Sequence, residues 1–224
     1  MSDAWPALVA AVAARYEGRV HRGFVKGKLE HDPVYALLAA DPDLARATPV
    51  LDLGCGRGIL LAMLAERARG HRRALELHGI EARTSHAGAA RAALKGEAHV
   101  ETADLRDAAL PPCQAACLID VLHYLPAKAQ ALLLLRVVRA LEPGGVLFVR
   151  EIDRGAGLRG WLARAAEHLA TVLRGEPAQR FCFRSADEWR TLLEGVGLSV
   201  SSRAADEGTP FANMLLVGTR READ

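Results

Sequence analysis

From Thr48 onward, short apolar runs alternate with longer segments whose apolar positions recur at helical spacing. Residues 49–53, 74–80, 98–102, 115–119 and 146–152 read as strands. Between them, 59–69, 85–94 and 128–141 carry the helical period. The punctuation agrees with this division. Gly70 and Gly96 stand near helix ends, Pro111-Pro112 break the chain before the fourth strand, and Glu142-Pro143-Gly144-Gly145 divide the long helix from the fifth. Strands that are apolar on both faces and separated by helices predict a mostly parallel sheet covered on both sides.

The carboxyl-terminal part departs from the alternation. Ser185-Ala186-Asp187-Glu188 is a capping box, in which a serine and the acid three residues on satisfy free N–H groups at a helix start. Gly195 and Gly197 close that helix, and 198–203 and 214–219 supply two last strands joined only by a loop, hence antiparallel. The expected fold is a Rossmann-like doubly wound α/β sheet of about seven strands, with helices on both faces. Upstream, Trp5, Leu8, Val9, Val12 and Tyr16 recur at helical spacing. The chain therefore divides into an N-terminal helical extension, 1–46, and a domain, 47–224, with a helical insertion at about 154–184. In that insertion Leu158, Trp161, Leu162, Ala165, Leu169, Val172 and Leu173 share one face, as core packing or as a lid over an apolar ligand.

Composition narrows the function. The 224 residues suffice for one α/β domain. Lys+Arg of 29 against Asp+Glu of 27 leaves a formal charge of +2, far from the basic excess of a general nucleic-acid binder. Cys55, Cys113, Cys117 and Cys182 form no C-x-x-C pair and no close His/Cys cluster, so the expectation is a reduced protein without a metal site. The apolar run near the N-terminus has only Asp3 ahead of it and no positive charge, which favours an amphipathic helix over an export signal. No apolar stretch approaches the ~20 residues of a membrane span. The expected compartment is the cytoplasm.

The chemistry concentrates where the first strand meets its helix, in Val50-Leu51-Asp52-Leu53-Gly54-Cys55-Gly56-Arg57-Gly58-Ile59-Leu60. Glycine costs roughly 0.5–1 kcal/mol of conformational entropy inside regular structure, and a turn needs one at most. Three at alternate positions suggest a ligand against the main chain. A phosphate-cradling G-x-x-x-x-G-K-[ST] loop is absent: Gly27-Lys28 is followed by Leu29, and Arg22 stands where the first glycine belongs. A dinucleotide G-x-G-x-x-G would need glycine at Ile59, and the third glycine comes one residue early, at Gly58. Asp52 would also repel a pyrophosphate, whereas it suits a ligand carrying positive charge.

Asp52-x-Gly54-x-Gly56-x-Gly58 resembles the signature loop of class I S-adenosylmethionine-dependent methyltransferases. His78-Gly79-Ile80-Glu81 resembles that family's acid-ended second strand, and Ala103-Asp104-Leu105 its third-strand motif. The segment from Ile119-Asp120-Val121-Leu122-His123-Tyr124 to Leu125-Pro126 is similar to the fourth-strand exit of small-molecule members, and Leu141-Glu142-Pro143-Gly144-Gly145-Val146-Leu147 to the turn into strand five. The motifs occur in order over about residues 48–153, with weaker agreement over 185–220. The resemblance implies S-adenosyl-L-methionine as cofactor. Asp52, Gly54, Gly56, Gly58 and Asp120 would line its crevice, Glu81 would accept from both ribose hydroxyls, and Asp104 would accept from the adenine amino group. Leu105 would pack on the ring. Asp107 is a rival for the part of Asp104. N-terminal segments of such enzymes often close over the cofactor, so Lys28, Arg22 or Lys26 would face the methionine carboxylate, unless that basic stretch is a solvated face.

Candidate bases for the acceptor are His123 and Tyr124 after strand four and Glu151 or Asp153 after strand five, at the strand ends where open α/β sheets bind ligands. His123 could equally be a core or helix-start histidine. Asp120-Val121-Leu122-His123 occupies the place where a [DNS]-P-P-[YFW] motif for exocyclic-amine methylation of nucleic acid would fall, so DNA and RNA are not expected as acceptors. Phe181, Phe183 and Phe211 add aromatic surface. The expected function is methyl transfer to a small hydrophobic or aromatic metabolite. The alternative is an S-adenosylmethionine-binding protein without transfer activity, a sensor or partner subunit.

Overall fold

The computed structural model describes residues 4–157, 159–160, 165 and 180–221. Four helices come first: α1 (Ala4–Ala14), α2 (Arg19–His31), α3 (Pro33–Ala40) and α4 (Pro42–Arg46). Then follow β1 (Val50–Leu53), α5 (Ile59–Gly70), β2 (Leu77–Glu81), α6 (Thr84–Leu94), β3 (His99–Thr102) and β4 (Cys113–Ile119). A 3₁₀ turn at Leu122–Tyr124 leads into α7 (Ala127–Ala140), and β5 (Leu141–Ile152) follows. The chain ends with α8 (Ala186–Gly195), β6 (Leu198–Ala204) and β7 (Asn213–Arg220).

The strands form one seven-stranded sheet in the order β3-β2-β1-β4-β5-β7-β6. All pairs up to β4–β5 are parallel, and β5–β7 and β6–β7 are antiparallel. The expected fold class is therefore the observed one. Its strand order reverses beside β1, which places a crevice at the carboxyl ends of β1 and β4.

Alternation along each strand sorts the core. Val50, Ala115, Cys117 and Phe148 pack with α5, α6 and the N-terminal helices. Leu51, Leu53, Ala116, Leu118, Leu147 and Val149 pack on the other face, against Leu133, Leu134 and Val137 of α7 and Trp189 and Leu193 of α8. Both faces are buried, as a parallel sheet demands. The N-terminal helices are part of the first core: Val12, Val25, Leu29, Val34, Leu38 and Leu44 belong to it. Polar contacts reinforce the junction, with Arg15 bridging Glu66 at 2.6 Å and Glu97 at 3.0 Å.

The remaining differences from the expected elements are local. β2 begins at Leu77, because residues 71–76 make a turn and an irregular approach in which Arg72 takes φ 53°. β5 reaches back to Leu141 through the Pro-Gly-Gly segment, at the cost of a register irregularity between Cys113 and Ala115. Gly145 is required there, since a Cβ would lie 2.8 Å from Glu142 O. The Ser185–Glu188 capping box forms in full at the start of α8. Of the expected insertion, Leu158, Trp161, Leu162, Leu169, Val172 and Leu173 lie outside the described residues. All four cysteines are free thiols. Among the described residues no helix is long and apolar enough to cross a membrane, and no His/Cys/Asp/Glu group could hold a metal ion.

Candidate functional site

The loop after β1 takes left-handed backbone at Gly54, Gly56 and Gly58, with φ of 76°, 55° and 76°. The three glycines are needed for different reasons. A Cβ at Gly54 would lie 2.5 Å from Val121 Cγ2, and one at Gly58 would lie 3.0 Å from Ala90 Cβ, so these two admit close packing by the protein itself. A Cβ at Gly56 would meet nothing within 4 Å among the described residues. Only there does the missing side chain open space to a ligand. Gly56 N–H donates to Glu81 Oε2 at 2.9 Å, and Arg83 N–H donates to Glu81 Oε1 at 2.8 Å, so the carboxylate at the end of β2 is already oriented over the loop. Tyr16 O–H donates to Arg57 O at 3.0 Å, tying the N-terminal helices to the same turn.

Three cavities meet at Asp120, which lines each of them. The first, about 310 Å³, lies against Asp52, Gly54, Gly56 and Arg57. The second, about 510 Å³, runs past Glu81, Asp104, Leu105, Tyr124 and Pro126. The third, about 580 Å³, lies under α2 beside His123, Arg150, Ile152, Phe211 and Asn213. Lys28 lines the first and third.

Most of the expected cofactor-side residues thus share one crevice. Gly58 does not line it, being covered by α6. Burial, and after it the negative Glu81, push the Asp52 carboxyl up to about 7. Asp104 lines the second cavity, and its exposed rival Asp107 does not. The Arg106 guanidinium, 2.6 Å from Asp104 Oδ2, holds the Asp104 carboxyl below its ordinary value. Of the basic candidates on α2, Lys26 sits 3.7 Å from Glu30, and Arg22 donates to Tyr16 O.

The candidate bases separate. His123 is 1% exposed and Glu151 0%. His123 Nδ1 lies 2.7 Å from Glu151 Oε2, while Glu151 Oε1 accepts from the N–H of Leu122 at 2.8 Å and of His123 at 3.3 Å. Both oxygens of the Glu151 carboxylate are so engaged, and Glu151 lines none of the three cavities. Phe183 stacks on the imidazole with centroids 5.1 Å apart, and Phe181 lies at 5.8 Å. Tyr124 lines the second cavity, across Asp120 from the third, and Asp153 accepts from Gly155 and Ala186 N–H as a local brace. Gln130, fully buried, donates to Leu122 O at 2.9 Å and Cys182 O at 2.8 Å, bracketing the turn that carries His123.

Sequence reasoning missed Arg150 and Asp32. Arg150, 6% exposed, reaches Asp120 with one terminal nitrogen and Asp32 Oδ1 at 3.2 Å with the other, and Lys28 lies 3.0 Å from Asp32 Oδ2. Burial works against the charge of Arg150, but Asp120 and Asp32 outweigh it and hold the guanidinium above its ordinary value. The chain of four charges ends at Asp120, whose backbone is left-handed at φ 58°. A signal existed: an arginine inside the apolar run Val146–Ile152 has to find buried acids.

Residues 23–203 match the model of a family described as a methyltransferase domain. The chain belongs to this family. Its fold is that of the class I S-adenosylmethionine-dependent methyltransferases. An O-methyltransferase family protein from Burkholderia thailandensis superposes with a TM-score of 0.69 at 19% identity, over 96% of this chain and 64% of that one. An O-methyltransferase of neocarzinostatin biosynthesis, solved with S-adenosyl-L-homocysteine and 1,4-dihydroxy-2-naphthoic acid, gives 0.62 at 25% identity, over 88% of this chain and 56% of that one. Magnesium protoporphyrin IX methyltransferase from Synechocystis PCC 6803, solved with bound S-adenosylhomocysteine, gives 0.63 at 18% identity, over 97% and 93%. The chain spans less than two thirds of the length of the first two. No curated protein sequence matches it.

Proposed function

We propose that this methyltransferase-family chain moves a methyl group from S-adenosyl-L-methionine to a hydroxyl oxygen of a small, largely apolar or aromatic metabolite. The observation that carries the reading is the His123–Glu151 pair, bonded at 2.7 Å beside a cavity that meets the glycine-loop crevice at Asp120. Open main chain at Gly56 and an oriented acid at Glu81 fit a nucleoside cofactor. Asp52 and Asp120 fit its positive charge, Lys28 its carboxylate, and Asp104 and Leu105 its base. When bound, S-adenosylmethionine supplies a methyl group already made electrophilic by the sulfonium.

The protein's task is then orientation and proton removal, of which orientation is worth on the order of 7–11 kcal/mol. The bond from Nδ1–H to Glu151 sets the tautomer, so Nε2 is the basic nitrogen and takes the hydroxyl proton. Glu151 stabilises the resulting imidazolium. Such general-base assistance contributes typically 10²–10⁴-fold. A binding protein without transfer activity has no use for this pair, which favours catalysis over the alternative.

The test is release of S-adenosylhomocysteine on incubation with S-adenosylmethionine and pooled hydroxyarenes. Acceptor-dependent release that disappears in His123→Asn, with cofactor affinity retained, is the expected result. Tight cofactor binding without acceptor-dependent release from any pool would overturn the assignment.

A further inference from the structure

Helix α2 forms one wall of the 580 Å³ cavity, and its cavity-lining positions include Gly23, Phe24, Gly27, Lys28 and His31. Val25 and Leu29 are the positions it buries in the core. Two glycines inside a 13-residue helix are unfavourable relative to alanine. Neither is explained by backbone or packing. Neither has positive φ, and among the described residues a Cβ at either would meet nothing within 4 Å. Internal contact accounts for Gly79, where a Cβ would lie 2.8 Å from Leu61 Cδ1, but not for Gly23 and Gly27, which differ from the equally uncrowded Gly88 in lining the cavity. Gly23 and Gly27, four apart, therefore leave a trough along the helix that opens into the cavity.

The other walls indicate what lies in it. Phe24 and Phe211 are aromatic, Ile152 is apolar, and the polar lining includes Thr209 and Asn213. The Arg57 guanidinium lies 4.7 Å from the Phe24 ring centroid, steadying that ring at the mouth. Arg150 also lines the cavity. It is 6% exposed, and its Nε, engaged by neither Asp120 nor Asp32, has no hydrogen-bond partner among the described residues. A buried donor left so is costly, and an oxygen on a ligand would relieve it.

We infer that Gly23 and Gly27 determine acceptor size, leaving room along α2 for a flat, oxygen-bearing aromatic acceptor of two or more fused rings. The inference rests on the acceptor cavity of the proposed function and adds the residues that select within it. Each glycine exchanges helix stability for length of cavity. The prediction therefore has opposite signs for folding and for binding.

Calorimetry with S-adenosylhomocysteine-saturated protein tests this, using 2-naphthol as a two-ring probe and phenol as a one-ring probe. Gly27→Leu should weaken 2-naphthol binding at least tenfold and phenol binding less than threefold. Its S-adenosylhomocysteine affinity should stay within twofold and its melting temperature should not fall. Gly23→Leu should act in the same direction, and Gly27→Ala, the mildest change, should raise the melting temperature. Gly88→Leu is the control, because Gly88 is an exposed glycine of α6 outside the three cavities. Unaltered 2-naphthol affinity in both leucine variants overturns the inference, as does equal weakening in Gly88→Leu or a wild-type protein that binds no 2-naphthol. Failure to bind S-adenosylhomocysteine at all is a different result and strikes the proposed function.

Discussion

On one side of Asp120 the walls come mostly from the first strands of the sheet, the loop after β1, the end of β2 and the turn after β3, joined by Phe24, Lys28 and Tyr35 of the N-terminal helices. On the other side they are side chains from distant places, His31 on α2, His123 after β4, Arg150 in β5 and Phe211 before β7, with Phe24 and Lys28 shared between the two sides. The first arrangement suits a ligand that never changes. Backbone N–H groups and strand ends are fixed by the sheet, so substitution elsewhere leaves them in place. The second suits a ligand that differs among relatives, because each contributing side chain can change singly. Family membership therefore speaks strongly for the cofactor side and says little about the acceptor, whose class has to be argued from this chain's own residues.

Substitutions that strike one side and spare the other test the division, and the largest effect belongs to His123. His123→Asn should lower kcat by about 10²–10⁴-fold with S-adenosylhomocysteine affinity unchanged, as steady-state kinetics and calorimetry together would show. Glu151→Gln should move the pH profile of kcat as well as its height, since it acts through the imidazole. Next comes Glu81→Ala on the cofactor side. Losing a charged hydrogen-bond acceptor should cost about 1.5–3 kcal/mol, a ten- to hundredfold weaker cofactor, while 2-naphthol binding persists.

The glycine loop gives a sharper contrast over a smaller range. Gly54→Ala puts a methyl group 2.5 Å from Val121 Cγ2 at φ 76° and should destabilise the fold by about 1–3 kcal/mol in denaturant titration. Gly56→Ala, with open space around it, should cost about 1–2 kcal/mol of stability for its left-handed backbone and lose cofactor affinity in addition.

The smallest effect is a pH dependence from Asp52, whose carboxyl is raised to about 7. A cationic ligand favours the ionised form, so binding expels a proton below pH 7, and affinity should fall by up to about tenfold per unit on acidification. Stability of the unliganded chain runs the other way. The folded state holds a proton that the unfolded state has released above its ordinary value near 3.8, so this contribution is present at low pH and is lost as pH rises through 7. Asp52→Asn should flatten both profiles, in calorimetry and in melting temperature.

The strands, their order of direction and the residues lining the candidate cofactor crevice were legible because their signals are local. An apolar run, a glycine triplet and an acid at a strand end are each read within ten residues or so. What stayed hidden depends on distant partners. The sequence does not say that Gly54 makes room for Val121 while Gly56 faces open space, since that requires the packing of β4 against β1. Nor does it say that Glu151 bonds to His123 and that Tyr124 lines a different cavity, for both stand at strand ends and look equally suited to proton transfer. Arg150 and Asp32 meet across 118 positions of chain. Only the unexplained charge within strand five hinted that such a partner must exist.

The reversed direction of β7 has a consequence for how this molecule can change. Asn213, its first residue, pairs with Ile152, the last of β5, so the link arriving from β6 passes the ligand-binding rim before the chain enters the sheet. Lengthening or shortening residues 206–211, between the buried and hydrogen-bonded Ala205 and Ala212, would remodel the wall carrying Thr209 and Phe211 without shifting any strand register. Under the proposed function, that rim segment can drift toward new acceptors while the glycine loop after β1 stays unaltered.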